Sequence, residues 1–538
     1  MRLTILVLAL VGCVAAFDTA NAVDPAQGVE KERQGRSHSG DQTTDAKSQS
    51  FPDSRERSKE RIRQLHLSAF DHSLRKSDEE KAIQEYNEIL HIDPTNALAM
   101  NNKACLVATM NEAYSQPLPA LTYKQQQVFM AGRGHFNRRW VIFGVAAGDW
   151  GLGPTFIADR CSACHVGAGR GAPPTHASEQ LTSMLVRISS PGLDEHGAPK
   201  EVPHYDDQLQ NRALQGQSFE WSYSEKPVPT EADVYLDWAE SSVTLADGTA
   251  VPLRKPKLRI EHLNFGPLPS DVQTSLRIAQ PIFGMGLLEA VSEQTLRDIA
   301  ARQRAQGFNG RINTVWDHIN KRPTLGRFGW KANQPSVRQQ IVAAALGDMG
   351  VTSSLHMDQN CPPIQDICAR EVPGNRPELI DPDWNDLELW TLGLAVPAPR
   401  DRETPDVQRG AKLFEEAKCA ICHLPTLITS DKFERLPQLA QQTFHAYTDL
   451  LLHDMGDELA DGRPDFAAGP RDWRTPPLWG LGLSQTVAGS TAMLHDGRAR
   501  NVTEAIMWHG GEGAVSREAF ARMGKDDREA LVKFLASI

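Results

Sequence analysis

"CSACH" (Cys161–His165) sets two cysteines three positions apart with a histidine directly after the second, and "CAICH" (Cys419–His423) repeats the pattern. A thioether forms when a cysteine sulfur adds across a haem vinyl group. Two vinyls need two sulfurs at a fixed separation on one helical turn, and the histidine that follows then points its imidazole at the iron. The spacing is that of covalent haem c attachment. A zinc site built from two CxxC pairs needs them close in sequence, and these pairs lie in opposite halves of the chain. A redox dithiol has no use for a histidine directly after the pair. Two covalently bound haem c groups are therefore expected, attached through Cys161, Cys164, Cys419 and Cys422, with His165 and His423 as the proximal iron ligands.

The rest of the chain frames this reading. Its 538 residues suffice for two or three domains, and 40% hydrophobic with 23% charged residues is the balance of an ordinary water-soluble fold. A formal net charge of −11 argues against nucleic acid and against an anionic membrane surface. The N-terminus reads as an export leader over residues 1–22: Arg2, an apolar run from Leu3 to Phe17 too short to span a bilayer, and small residues Ala20–Ala22 for cleavage. "LVGC" (Leu10–Cys13) is the rival signal, in which Cys13 carries a lipid and anchors the protein to a membrane. Either way a periplasmic protein is expected, where disulfides are allowed. Cys361 and Cys368, seven apart in a Pro-containing segment, are expected to pair, and Cys105 reads as a small buried apolar side chain.

Residues 23–60 are too polar to bury a core and read as a disordered linker. Residues 61–117 resemble one tetratricopeptide unit: Ala82, Tyr86 and Ile89 recur at helical spacing, Pro94 ends the helix, and a second begins near Asn96. An N-terminal haem domain is expected over 118–395, with a β-rich insertion at about 200–265, where "DGT" (Asp247–Thr249) between alternating apolar residues signals a hairpin. A Pro-rich linker then leads to a C-terminal haem domain over 396–538. The expected class is mainly α: two cytochrome c-like domains with a β-hairpin insertion, preceded by the helical hairpin.

The two halves repeat one another. "LRIAQPIFGMGLLEA" (Leu276–Ala290) matches "WRTPPLWGLGLSQTV" (Trp473–Val487), pairing Arg277 with Arg474. "SVRQQIVAAALGDMG" (Ser336–Gly350) matches "NVTEAIMWHGGEG" (Asn501–Gly513), and setting Val337 against Val502 places Ala344 opposite His509. Histidine ligates iron and alanine cannot, so the C-terminal haem is expected to hold His423 and His509, and the N-terminal haem to keep an open face. His453 and Met455 are rival sixth ligands of the C-terminal haem, and His495 a supporting residue. Arg277, Arg474, Arg498 and Arg500 are candidates for haem propionates, because guanidinium matches carboxylate in bidentate fashion.

Seven segments, "CSACHVGAGRG", "PIFGMGLLEAV", "GRFGWKANQPSVRQQ", "DMGVTS", "YTDLLLHDMG", "WRTPPLWGLGL" and "LHDGRARNVTEAIMWHGGEG", resemble the bacterial di-haem cytochrome c peroxidase superfamily. They are most similar to its di-haem oxidoreductase subgroup, also labelled thiol oxidoreductases. The resemblance implies that Trp330 lies between the haems and that Gln340 and a carboxylate line the peroxide pocket. The family's acid stands in an "EM" pair twenty positions beyond the tryptophan. Here Asp348, in "DM", falls short of that spacing, which keeps Glu289 in play. Superfamily peroxidases usually place methionine where His509 stands, so a lower potential is implied. A calcium ion between the haem domains is also implied, without assignable ligands. No sixth ligand of the N-terminal haem is evident, and His176 reads as a loop residue. The expected enzyme is a di-haem peroxidase-like oxidoreductase. It would draw electrons from a small donor such as a cytochrome c and act on peroxide or another small molecule. A non-catalytic electron carrier and an oxygenase of an organic substrate are the alternatives.

Overall fold

A computed structural model describes residues 54–74, 79–92, 110–141, 149–214, 228–366, 368 and 377–538. The expected leader, Cys13, Cys105 and the helix expected near Asn96 lie outside them. The chain divides into two compact units, Met1–Met110 and Asn111–Ile538. In the first, α1 (Ser54–Leu74) packs on α2 (Glu79–Ile92). Ala82, Tyr86 and Ile89 of α2 share one face at helical spacing and are buried with Leu65 and Ala69 of α1. The helix covering this face thus precedes it in sequence, and it starts at Ser54, inside the segment read as a linker.

The expectation of a mainly α fold does not hold. Helix takes up 36% and strand 19%, the strands spread over several small sheets. In the second unit β1 (Met184–Leu193), β2 (Asp233–Thr244), β3 (Ala250–Glu261) and β4 (Gln273–Ile278) are the long ones. β1 and β4 pair antiparallel from Met184↔Ile278 to Ser189↔Gln273. β2 and β3 form a hairpin in register from Asp233↔Glu261 to Thr244↔Ala250. Its base buries Val234 and Leu236, and its tip buries Val251 and Leu253 on the opposite face. Strand twist lets different neighbours cover the two ends. Asp247 tightens the turn by accepting from the Thr249 N–H at 3.1 Å, and Arg528 donates to the same carboxylate at 2.7 Å, tying the tip to the C-terminal helix.

The helices that matter for the site are α3 (Tyr123–Asn137), α4 (Val337–Met349), α5 (Asp381–Leu392), α6 (Pro405–Glu416), α7 (Val502–Met507) and α8 (Lys525–Ser537). α3 begins in a capping box, with Thr122 and Gln125 exchanging side-chain and backbone hydrogen bonds. It crosses α5, and α6 crosses α8 in the same way. At each crossing a glycine meets a backbone carbonyl: a Cβ on Gly132 would stand 2.1 Å from the Asp386 oxygen, and one on Gly410 would stand 2.1 Å from the Ala530 oxygen. Only glycine permits that approach. One turn on, Phe136 and Phe414 are buried. Gly132→Ala is expected to cost about 1–3 kcal/mol, as overpacking does. Gly134→Ala on the same helix, with nothing within 4 Å, is expected to cost nothing. Denaturant midpoints of the two variants check this.

Cys361 and Cys368 are joined in a disulfide, whereas Cys161, Cys164, Cys419 and Cys422 are unbridged. Among the described residues no helix is long and apolar enough to cross a membrane.

Candidate functional site

The first triplet forms one helical turn, Cys161–Cys164, and the second a 3-10 turn, Cys419–Ile421. Each triplet lines its own cavity. Cys161, Cys164 and His165 border the first, and Cys419, Cys422 and His423 the second. The histidines are held alike. His165 Nδ1 lies 2.6 Å from the Gln280 carbonyl and His423 Nδ1 lies 3.0 Å from the Tyr447 carbonyl. A carbonyl only accepts, so each Nδ1 carries the proton and each Nε2 keeps its lone pair free, the tautomer a metal requires. Burial holds both rings neutral. It lowers the His165 pKa, and with the neighbouring His509 it pushes His423 down to about 4.

Equivalent helices form a wall of each cavity. α4 presents Val337, Gln340, Ile341 and Ala344 to the first, one face at helical spacing. α7 and the turn after it present Val502, Ala505, Ile506 and His509 to the second, position for position. Both helices open on a side-chain cap, Ser336 accepting from Gln339 N–H and Asn501 from Glu504 N–H. His509 donates from Nδ1 to the Ala505 carbonyl at 2.7 Å, so a third imidazole offers a free Nε2. At the equivalent place in the first cavity, Ala344 offers a methyl group.

Trp330, Arg170 and Arg474 line both cavities and stand between them. Trp330 is buried, and its indole N–H donates to the Ile278 carbonyl at 2.8 Å. Gln340 and Asp348 line the first cavity with Ala344. Gln208 donates to the Asp348 carboxylate at 3.0 Å, while burial raises its pKa. Glu289 stands apart. Its carboxylate accepts from the Val337 N–H at 2.6 Å, at the first turn of α4, and pairs with Arg435 at 2.8 Å. It therefore serves as a helix-end partner outside the cavity lining.

The remaining candidates separate by their partners. His453 lines the second cavity, but its two nitrogens face Asp449 at 2.8 Å and Glu512 at 3.1 Å. Burial opposes its charge, yet the two carboxylates outweigh burial and push its pKa up to about 12. An imidazolium has no lone pair for iron. Cys422, Asp449 and His453 are the one group of three ligating side chains within 4.8 Å among the described residues, and its cysteine belongs to the second CxxCH triplet. Met455 lines the same cavity, and a Cβ on Gly513 would stand 3.0 Å from both its Cε and the His509 ring. His495 stacks on Trp473 at 3.7 Å. His176 is exposed. Arg277 borders the first cavity but pairs with Asp465 at 2.9 Å. Arg474 donates to the Gly329 carbonyl at 2.9 Å. Arg498 pairs with Asp496 at 2.7 Å and Arg500 with Glu504 at 2.8 Å, both outside the cavity linings.

Sequence reasoning missed Arg170. It sits five positions past His165 and is buried, with neither Nε nor Nη1 hydrogen-bonded. Burial without a carboxylate pushes its pKa down to about 10. The signal was present, as an arginine between the glycines of "GAGRG", but a Gly-flanked arginine reads as a surface loop.

Residues 107–538 match the model of the family described as "Di-haem oxidoreductase, putative peroxidase". The chain belongs to the di-haem oxidoreductase family. No curated protein and no solved structure matches it. Haem is the cofactor this family implies, and the residues of this di-haem oxidoreductase fit it. Two cavities each carry a neutral imidazole with Nε2 free, and a buried arginine lacks the anion that a carboxylate-bearing group would bring.

Proposed function

We propose that this di-haem oxidoreductase reduces peroxide at its N-terminal cavity with electrons delivered through its C-terminal one. The observation that carries the reading is the exchange of His509 for Ala344 on matching helix faces. His423 and His509 would both hold one haem, attached through Cys419 and Cys422, whereas His165 alone would hold the other, attached through Cys161 and Cys164. A haem with a free coordination position supplies a place for peroxide to bind and a store of electrons to reduce it.

The chain's own residues supply the rest. The Asp348 carboxylate takes a proton from the inner peroxide oxygen and returns it to the outer one, which then leaves as water. Gln340 orients the peroxide by hydrogen bond from the same helix face. Trp330, buried between the cavities, lies on the direct route for electrons between them. The reaction balances when each hydrogen peroxide takes up two electrons and two protons and leaves as two waters. The donor is a small protein such as a cytochrome c. The protein works in the periplasm, free or anchored through a lipid on Cys13.

Two measurements test this. Haem staining of the denatured protein is expected to show two covalent haems, and one in either C161S/C164S or C419S/C422S. Peroxide added with reduced cytochrome c is expected to oxidise the donor with a stoichiometry of two per peroxide. Oxygen uptake with an organic substrate and no peroxide turnover would overturn the assignment.

A further inference from the structure

Arginines border the first cavity at several points, and all but one have an ion-pair or hydrogen-bond partner. Arg160 pairs with Asp159 at 3.2 Å, Arg187 pairs with Asp207, Arg277 pairs with Asp465, and Arg474 donates to backbone carbonyls. Arg170 is different. It is 7% exposed, its Nε and Nη1 have no hydrogen-bond partner, and its guanidinium lies 5.7 Å from the centroid of the Trp330 ring. An unpaired guanidinium in an interior costs several kcal/mol, a cost that natural folds accept when an anion completes the site. Arg170 borders both cavities, so an anion from either one reaches it. Its planar fork has room for two carboxylates on different edges.

We propose that Arg170 is a positioning residue shared by the two haems, taking a propionate carboxylate from each. The inference rests on the di-haem reading above. It goes beyond it by assigning one cation to both groups. A buried positive charge bordering both cavities would favour the reduced state of each haem. It also makes the potential of one haem sensitive to the oxidation state of the other, because both propionates share one donor and cannot both strengthen their hold on it.

The test is spectroelectrochemical titration of the intact holoprotein, comparing Arg170→Leu and Arg170→Lys with the parent. Attachment through cysteine does not depend on Arg170, so both variants are expected to keep full haem content by the pyridine haemochrome assay. Removing the charge in Arg170→Leu is expected to shift both midpoints to lower potential. The reduction equilibria should change by about 15-fold, the size of one unit charge acting across about 10 Å at an effective dielectric of 20. Arg170→Lys keeps the charge without the fork and is expected to restore most of the shift in both haems while losing their mutual sensitivity. Unmoved midpoints, or a shift confined to one haem, with haem content intact, overturn the shared role. If Arg170→Leu fails to fold, Arg170→Lys still decides, since unchanged mutual sensitivity of the two haems refutes the proposal. A parent protein that carries fewer than two haems instead refutes the di-haem reading on which the inference stands.

Discussion

An Ala344→His variant is expected to lose its reaction with peroxide while keeping both haems. The helix face that carries Ala344 in the first cavity carries His509 in the second, with Val337, Gln340 and Ile341 standing where Val502, Ala505 and Ile506 stand. A histidine introduced at 344 can repeat the hydrogen bond that fixes His509. The carbonyl it needs, that of Gln340, is the counterpart of Ala505, and α4 supplies it four residues earlier. The new Nε2 then enters the cavity that His165 also borders. If the capped state is favoured by about 2.7 kcal/mol, the open fraction is about 1%, and peroxide reactivity falls about a hundredfold. The visible spectrum is expected to change from mixed spin to purely low spin. The converse variant, His509→Ala, is expected to make the C-terminal haem high spin, and stopped-flow mixing with peroxide separates the two. An A344H protein that reacts at the parent's rate would show that the first cavity's reactive face lies elsewhere.

Asp348→Asn is expected to slow peroxide turnover by about 10²–10⁴, the usual worth of a positioned proton carrier, with binding and haem content kept. Asparagine preserves the shape and the contact with Gln208 but cannot accept the inner-oxygen proton. The pH profile gives the sharper evidence. Burial raises the Asp348 pKa above the ordinary carboxylate range, against the lowering effect of the Gln208 hydrogen bond. The step needs the ionised form, so activity is expected to be full above that raised pKa and to fall as pH drops through it. The fall should begin at higher pH than a solvent-exposed aspartate would give. D348N should flatten this acid limb. Glu289→Gln, by contrast, is expected to leave the limb in place and to act on stability, since Glu289 pairs with Arg435 and the first N–H of α4. An acid limb that survives in D348N and vanishes in E289Q would reverse the two roles.

The residues that line the two cavities were more legible than the strands. CxxCH is a chemical constraint carried by five adjacent positions, so it survives without any knowledge of tertiary structure. The Ala344/His509 exchange was legible because a duplicated helix keeps its register, and a shift of one residue would have moved the histidine off the cavity face. The strands were harder. β1 and β4 pair across a long stretch that includes the β2–β3 hairpin, and most other strands are two to four residues long. Alternation over so few positions cannot be told from loop composition. The choice between Asp348 and Glu289 was illegible for another reason. Both lie in apolar segments, and only the packing of α4 shows that one borders the cavity while the other meets the helix's first turn. Arg170 required the same knowledge, because lack of a partner is a property of the folded neighbourhood alone.

The measurement that bears most directly on the unequal cavities is low-temperature electron paramagnetic resonance of the resting, fully oxidised protein, before and after cyanide. One high-spin ferric signal that cyanide converts to low spin is expected, beside one low-spin signal of bis-imidazole type that cyanide leaves untouched. Two low-spin signals indifferent to cyanide, in the resting protein and after one-electron reduction alike, would contradict that expectation.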